Sequence, residues 1–259
     1  TIVFWSSAFT AINVGLESYS PAHLTLFRFG VASLFFILLA LMTRMPLPKR
    51  ADLPRFLAAG LCGITIYHFA LNVGQMYVPA GTAGLIIGTA PIFTALLSNR
   101  FLQERLTPMG WLGIGIGFAG LAVILIGSHG SVQFTAGALL IVLSAVTGAV
   151  YFVLVKSLVE RYSPLHVTAY AVWIGTVPLL AFLPGFFEAL RQAKTAATWA
   201  AVYAGVFPAG IAYVTWGVAL TAAPANQVAS LLFLSPALGL FVAWLVLGEV
   251  PSASALIGG

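Results

Sequence analysis

Long apolar runs separated by short clusters of charge, Pro and Gly set the pattern of this chain. Polar positions do not alternate with apolar ones, as they would in the ~10-residue segments of a membrane barrel. They gather instead at the ends of runs close to the ~20 apolar residues that a membrane-crossing helix needs. The pattern predicts helices over 2–18, 22–43, 54–77, 81–101, 108–127, 135–159, 164–184, 198–221, 225–247 and from 252 onward. The last of these reaches Gly259 within eight residues, so a tenth helix is expected to be truncated there.

Composition gives this pattern its solvent. The chain is 61% hydrophobic and 7% charged, with a mean hydropathy of +1.05, whereas soluble domains carry roughly 25% charged residues. An all-α integral membrane protein follows, with the lipid bilayer as its main surroundings. Net charge is +5, but the basic residues sit at helix ends and form no run, which argues against nucleic-acid binding. Counted over alternate connections, Arg44, Lys49, Arg50, Arg55, Arg100, Arg105, Lys156 and Arg161 fall on one side, with only Arg191 and Lys194 on the other. The positive-inside rule then puts both termini in the cytoplasm. Cys62 is the single cysteine and makes no intrachain disulfide.

The stretch ESYSPAHLT at 17–25 returns as ERYSPLHVT at 160–168, with Tyr19, Ser20, Pro21 and His23 matched by Tyr162, Ser163, Pro164 and His166. A second series relates Pro79 to Pro224, Pro91 to Pro236, Glu104 to Glu249 and Gly113 to Gly258. Each half, 1–127 and 135–259, would hold five crossings. An odd number makes the second half enter from the opposite side, as in the inverted repeats of alternating-access carriers. Ser-Pro is a good helix start, Ser capping and Pro filling the first turn. The duplicated stretch therefore reads as two inherited helix starts or as a functional His pair.

Chemistry within the spans is sparse. Glu17, Asp52, Glu104, Glu160, Glu188 and Glu249 all lie at helix ends or in loops, which disfavours a carboxylate-driven proton antiporter. Arg28 lies inside the second helix, where it either meets a substrate carboxylate, bonds backbone carbonyls or reaches outward. In ITIYHFALNVGQ, the polar residues His68, Asn72 and Gln75 share one helix face beside Tyr67 and should point at protein or water. His68 is also the candidate for weak proton coupling. Trp5, Phe9, Tyr151, Tyr170, Trp173, Tyr213 and Trp216 also fall within spans. They serve either in ordinary packing or in a pocket for planar apolar groups. Pro91, Pro236, Pro208 and Pro178 interrupt helices and are candidates for hinges, with packing kinks as the other reading. Gly84, Gly88, Gly113 and Gly117 form small-residue faces for close helix contact, Gly113 and Gly117 with a homodimer in view as well as a monomer. No nucleophile elbow, zinc-binding helix or P-loop is found, so no enzyme, cofactor or metal is indicated.

Together, the Trp5-Ser6 opening, Ser20-Pro21, Arg28, the paired blocks APIFTALLSNRFLQER and SPALGLFVAWLVLGE, and the Gly-rich GWLGIGIGFAG resemble the drug/metabolite transporter superfamily. The likeness covers essentially the whole chain and points to its EamA-type exporters, most of all the YddG-type exporters of aromatic amino acids. It implies a central cavity lined by helices 1, 3, 4, 6, 8 and 9. The expected substrate is a small amphipathic metabolite, an amino acid with an aromatic or apolar side chain, exported across the bacterial inner membrane. Transport would be facilitative or weakly proton-coupled. The expected substrate contacts are Trp5, Phe9, Tyr67, His68, Asn72, Gln75, Tyr151, Trp173, Tyr213 and Trp216, with Arg28 facing a carboxylate and Pro91, Pro208 and Pro236 at gates. An organic-anion exchanger for sugar phosphates or nucleotide sugars, or a drug exporter, is the alternative within the superfamily. An intramembrane enzyme or structural bundle is the alternative outside it.

Overall fold

The structure, a computed structural model, describes residues 1–78, 80–129, 135–235, 237 and 238, and every regular element among them is helical. The order is α1 (Ile2–Leu16), α2 (Pro21–Thr43), α3 (Leu53–Gly60), α4 (Tyr67–Gly74), α5 (Ala80–Ile87), α6 (Ala90–Phe101) and α7 (Pro108–His129). It continues with α8 (Ala136–Val159), α9 (Pro164–Leu179), α10 (Phe186–Gln192), α11 (Thr195–Val206), α12 (Ala212–Ala222) and α13 (Ala225–Ser230). A π turn over Leu61–Ile66 fuses α3 to α4, and another over Phe207–Ile211 fuses α11 to α12. Among the described residues, five runs are long and apolar enough to cross a bilayer: Pro21–Thr43, Arg50–Gly74, Ala136–Val159, Pro164–Phe182 and Thr195–Ala222. Leu34, Leu38, Leu41 and Met42 on α2 stand exposed, as lipid-facing side chains would.

Three expectations need correction. The third helix stops at Gly74 rather than near 77. The predicted span 81–101 is two helices, because Pro91 lacks the N–H that would bond the Ile87 carbonyl and the ladder breaks at Gly88-Thr89. Pro91 therefore lies in the first turn of α6, where its missing donor costs little, and not within a continuous helix. The connection after α9 carries an unforeseen short helix, α10. Pro236, Glu249 and the tenth helix lie outside the described residues.

Both copies of the duplicated stretch do start helices. Ser20 accepts from the His23 N–H ahead of α2, and Ser163 accepts from the His166 N–H ahead of α9. The two tyrosines bind to distant parts of the chain, Tyr19 to the first turn of α11 and Tyr162 to the connection before α3. Tyr19 Oη is 2.8 Å from Thr198 Oγ1, while Tyr162 donates to Asp52 and accepts from the Lys49 N–H. His23 and His166 are not brought together: His23 contacts the Pro184 carbonyl and Phe186, at the end of the bundle where Glu17 pairs with Lys194.

The opposite, basic end is knitted by charge-assisted contacts. Arg161 pairs with Asp52 at 2.8 Å, and Lys156 donates to the carbonyls of Leu220 and Ala223 at the C-terminus of α12. Glu104 accepts from the N–H groups of Ala225 and Asn226, the first two residues of α13, and so caps that helix from a distant connection. Losing a cap costs about 0.5–2 kcal/mol. Glu104→Ala is therefore expected to lower the thermal midpoint of the purified protein by a few degrees, whereas Glu160→Ala, with no such contact among the described residues, leaves it in place.

The centre is held by helices that touch backbone to backbone. A Cβ on Gly60 would lie 2.8 Å from both the Ala171 carbonyl oxygen and the Gly175 nitrogen; a Cβ on Gly205 would lie 2.6 Å from the Arg28 carbonyl oxygen. These crossings of α3 with α9 and of α11 with α2 are counterparts at the spacings of the duplicated motifs. Two contacts join a residue to its own counterpart: His68 Nε2 and Tyr213 Oη, 145 positions apart, and Ser33 and Thr176, 143 apart. Gly117 of α7 rests against the Phe233 ring within the same chain, while Gly113 meets nothing within 4 Å. The predicted Gly113/Gly117 contact face is thus divided, one member being used inside the protein.

Candidate functional site

The π turns put irregular backbone beside the centre of the bundle. Such turns often mark functional sites, and backbone that departs from α-helix at membrane depth belongs against protein or a cavity. Each presents a carbonyl to an aromatic donor: Gly63 O accepts from Tyr213 Oη at 3.3 Å, and Pro208 O accepts from Trp5 Nε1 at 3.1 Å. Gly63 and Pro208 are counterparts by the same 145 spacing. Gly63 needs to lack a side chain because the Tyr151 ring lies directly over it.

Between these turns is a cavity of about 780 Å³, its open mouth included. Helix α1 contributes Trp5, Ala8, Phe9 and Ile12, and the α3–α4 run contributes Gly63, Tyr67, His68 and Leu71. Gly84, Ile87, Gly88 and Ala90 come from the α5–α6 break, and Gly148, Tyr151 and Phe152 from α8. Pro208 and Tyr213 close one side, with Leu232 and Ser235 beyond α13. Arg28 of α2 completes the wall, a helix that the family resemblance did not place there.

The rings are packed against one another. Trp5 lies 4.9 Å from Trp216 and 5.5 Å from Tyr213 between centroids, and Tyr151 lies 5.4 Å from Tyr213. His68 Nε2 is 2.8 Å from Tyr213 Oη. If Tyr213 gives its proton to Gly63 O, the imidazole must donate through Nε2, leaving Nδ1 an acceptor; no described residue bonds that Nδ1.

Among the described residues, Arg28 is the only charged group lining the cavity. It is 1% exposed, and its Nη1 reaches Asn72 Oδ1 at 3.5 Å, a long hydrogen bond. Nε has no partner, and no carboxylate pairs with the guanidinium, among the described residues. A buried charge without a counter-ion is costly, by several kcal/mol, so an anion entering the cavity beside it would be stabilised.

Of the residues expected at the substrate, Trp5, Phe9, Tyr67, His68, Tyr151, Tyr213, Arg28 and Pro208 lie on the cavity wall. Trp216 stands behind it, against Trp5 and Phe152. Asn72 and Gln75 are turned to other helices, Asn72 to Arg28 and Thr25 and Gln75 to Asn13 and the Phe9 carbonyl. Trp173 is a correction: its indole N–H goes to the Ser33 carbonyl and its ring packs on Tyr170, away from the cavity. Pro91 is one residue beyond the lining residue Ala90. Sequence reasoning missed Gly63 and Gly148, whose signal is the large ring above each. A Cβ on Gly148 would come within 2.9 Å of Tyr67.

Comparison with known proteins adds a separate line. Residues 1–126 and again 135–259 match the EamA-like transporter family. Over its whole length the chain is 40% identical to 87% of a Streptantibioticus cattleyicolor protein named "probable terminal-alkyne amino-acid exporter". It is 37% identical to 84% of YdfC, an uncharacterised transporter of Bacillus subtilis. Over 96% of its length it is 34% identical to 88% of an uncharacterised transporter of Archaeoglobus fulgidus. A solved crystal structure superposes with a TM-score of 0.78 over 99% of this chain and 89% of its own, at 24% identity, a likeness of fold.

Proposed function

The chain belongs to the EamA-like transporter family, a multi-pass membrane transporter and not an enzyme, and from that premise we propose that it exports amino acids with aromatic or bulky apolar side chains. The observation that carries this reading is Arg28, a buried cation lacking a carboxylate partner on the wall of a cavity otherwise built from rings and small apolar groups. A substrate carboxylate supplies the missing charge and bonds the guanidinium, which presents paired donors suited to a carboxylate. Its apolar side chain then lies among Trp5, Phe9, Tyr151 and Tyr213, where burial and ring contacts hold it. A phosphate-bearing solute would call for more than one cation in the cavity, so the sugar-phosphate reading is the weaker. The relative named as a probable terminal-alkyne amino-acid exporter supports the amino-acid class.

In this reading the two halves are inverted five-helix repeats that rock around the cavity, with both termini and the basic end in the cytoplasm of a bacterial cell. Transport runs down the substrate gradient, because no carboxylate faces the cavity among the described residues. The test is efflux of labelled phenylalanine from proteoliposomes with no ion gradient. Efflux well above that of protein-free liposomes, competed by other apolar amino acids, is expected. Efflux equal to that of protein-free liposomes overturns the reading, and efflux that needs an imposed pH gradient overturns the facilitative part.

A further inference from the structure

We infer that Asn72 is the positioning residue that makes this cavity select carboxylate-bearing substrates over the corresponding amines, by holding Arg28 with a group that carries no charge. The inference rests on the proposed amino-acid reading and assigns its selectivity to a residue off the cavity wall. The hydrogen bonds run in one direction. Thr25 gives its hydroxyl proton to the Pro21 carbonyl at 2.6 Å. Its oxygen can then only accept, and it accepts from Asn72 Nδ2 at 2.7 Å. That fixes the amide, so Oδ1 must face the guanidinium, 3.5 Å from Nη1. Thr25, Arg28 and Asn72 are all fully or almost fully buried.

A neutral acceptor aims the guanidinium without cancelling its charge, which stays available to an incoming anion. A carboxylate in the same place would form a closed ion pair and occupy the site from within. The arrangement also exists only once. The counterpart of Thr25 is Thr168, but Arg28 corresponds to Ala171 and Asn72 to Gly217. Thr168 accordingly has a buried hydroxyl with no partner among the described residues. One half of the molecule therefore supplies the whole anion site, and a substrate can be held in one orientation about it.

The substitution that tests this is Asn72→Asp, nearly identical in shape and opposite in consequence. Phenylalanine and phenethylamine, which differ by the carboxylate, would compete for labelled phenylalanine efflux in proteoliposomes of wild type, N72D and Thr25→Val. A hydrogen bond to a charged group corresponds to about 10- to 150-fold in affinity. The wild type is expected to prefer phenylalanine by a factor in that range, N72D to lose the preference or reverse it, and T25V, which frees the amide to turn, to fall between. Loss of packing alone would weaken both competitors together and leave the ratio unchanged. Unchanged preference in N72D overturns the inference; if N72D does not fold, unchanged preference in T25V does so. Should the wild type fail to recognise phenylalanine at all, it is the amino-acid reading that falls.

Discussion

Arg28→Met is expected to all but abolish transport of carboxylate-bearing substrates while the protein's thermal midpoint stays level or climbs. Two opposing effects of the same charge produce that pair of results. As a substrate contact, the guanidinium contributes charge-assisted hydrogen bonds, each about 1.5–3 kcal/mol, so two of them correspond to at least about 100-fold in affinity. As a component of the fold, it is a cation taken out of water with one long bond to a neutral oxygen. Replacing buried ionic groups by apolar ones of similar volume is often neutral or stabilising by about 1–4 kcal/mol. Methionine follows the arginine stem closely enough to fill the space. Efflux of labelled phenylalanine and a melting curve in detergent, run on one preparation, separate the cases. A residue serving the fold alone would lose midpoint and transport together, and that outcome would remove Arg28 from the binding site.

Gly175→Ala should be the most damaging of the single-methyl additions considered. The new Cβ would overlap the Gly60 carbonyl oxygen and lie 2.5 Å from Ile64 Cβ, with Gly60 C at 3.0 Å. Two of those three atoms are backbone, which cannot swing aside, so α9 has to move off α3. Overpacking typically costs about 1–3 kcal/mol, and the rigid neighbours place this site at the upper end. For a chain of this size that corresponds to roughly 5–10 °C in midpoint. Gly30→Ala is the control: nothing stands within 4 Å of its Cβ, and alanine favours a helix over glycine by up to about 1 kcal/mol, so its midpoint should not fall. A Gly175→Ala protein that melts with the wild type would mean that the two helices are not in backbone contact.

The features legible in the sequence share a physical cause: they are written in single residue types whose solvation is extreme. A chain with so few charges had to be read as lipid-embedded, and polar, ionisable or amphipathic aromatic side chains within an apolar run stood out as candidates to face inward, though Arg28 could equally have reached outward. Arg28, His68, Tyr67, Tyr151 and Tyr213 were found in this way. Facing inward does not say toward what, which is why Asn72 and Gln75 turn out to bond neighbouring helices and Trp173 a carbonyl of α2. An indole has the same apolar face and the same donor in a cavity wall as in a helix contact. The break at Gly88-Thr89 and the π turn at Gly63 were hidden for another reason. At the break Pro91 signalled an interruption without saying that the helix would divide three residues earlier, and at Gly63 the π turn arises from backbone bonding, marked only by the Tyr151 ring above it.

The bonds His68–Tyr213 and Ser33–Thr176 each join a residue to its own counterpart. If the halves rock as inverted repeats, as proposed above, exchanging their postures maps such a pair onto itself, and a distance probe across it would read the same value in both end states. A flat trace there would be mistaken for a static protein. Glu104 and Ala225 are not counterparts, so the exchange does not map that contact onto itself. Spectroscopic reporters on that contact would register motion where those on the central pair stay silent.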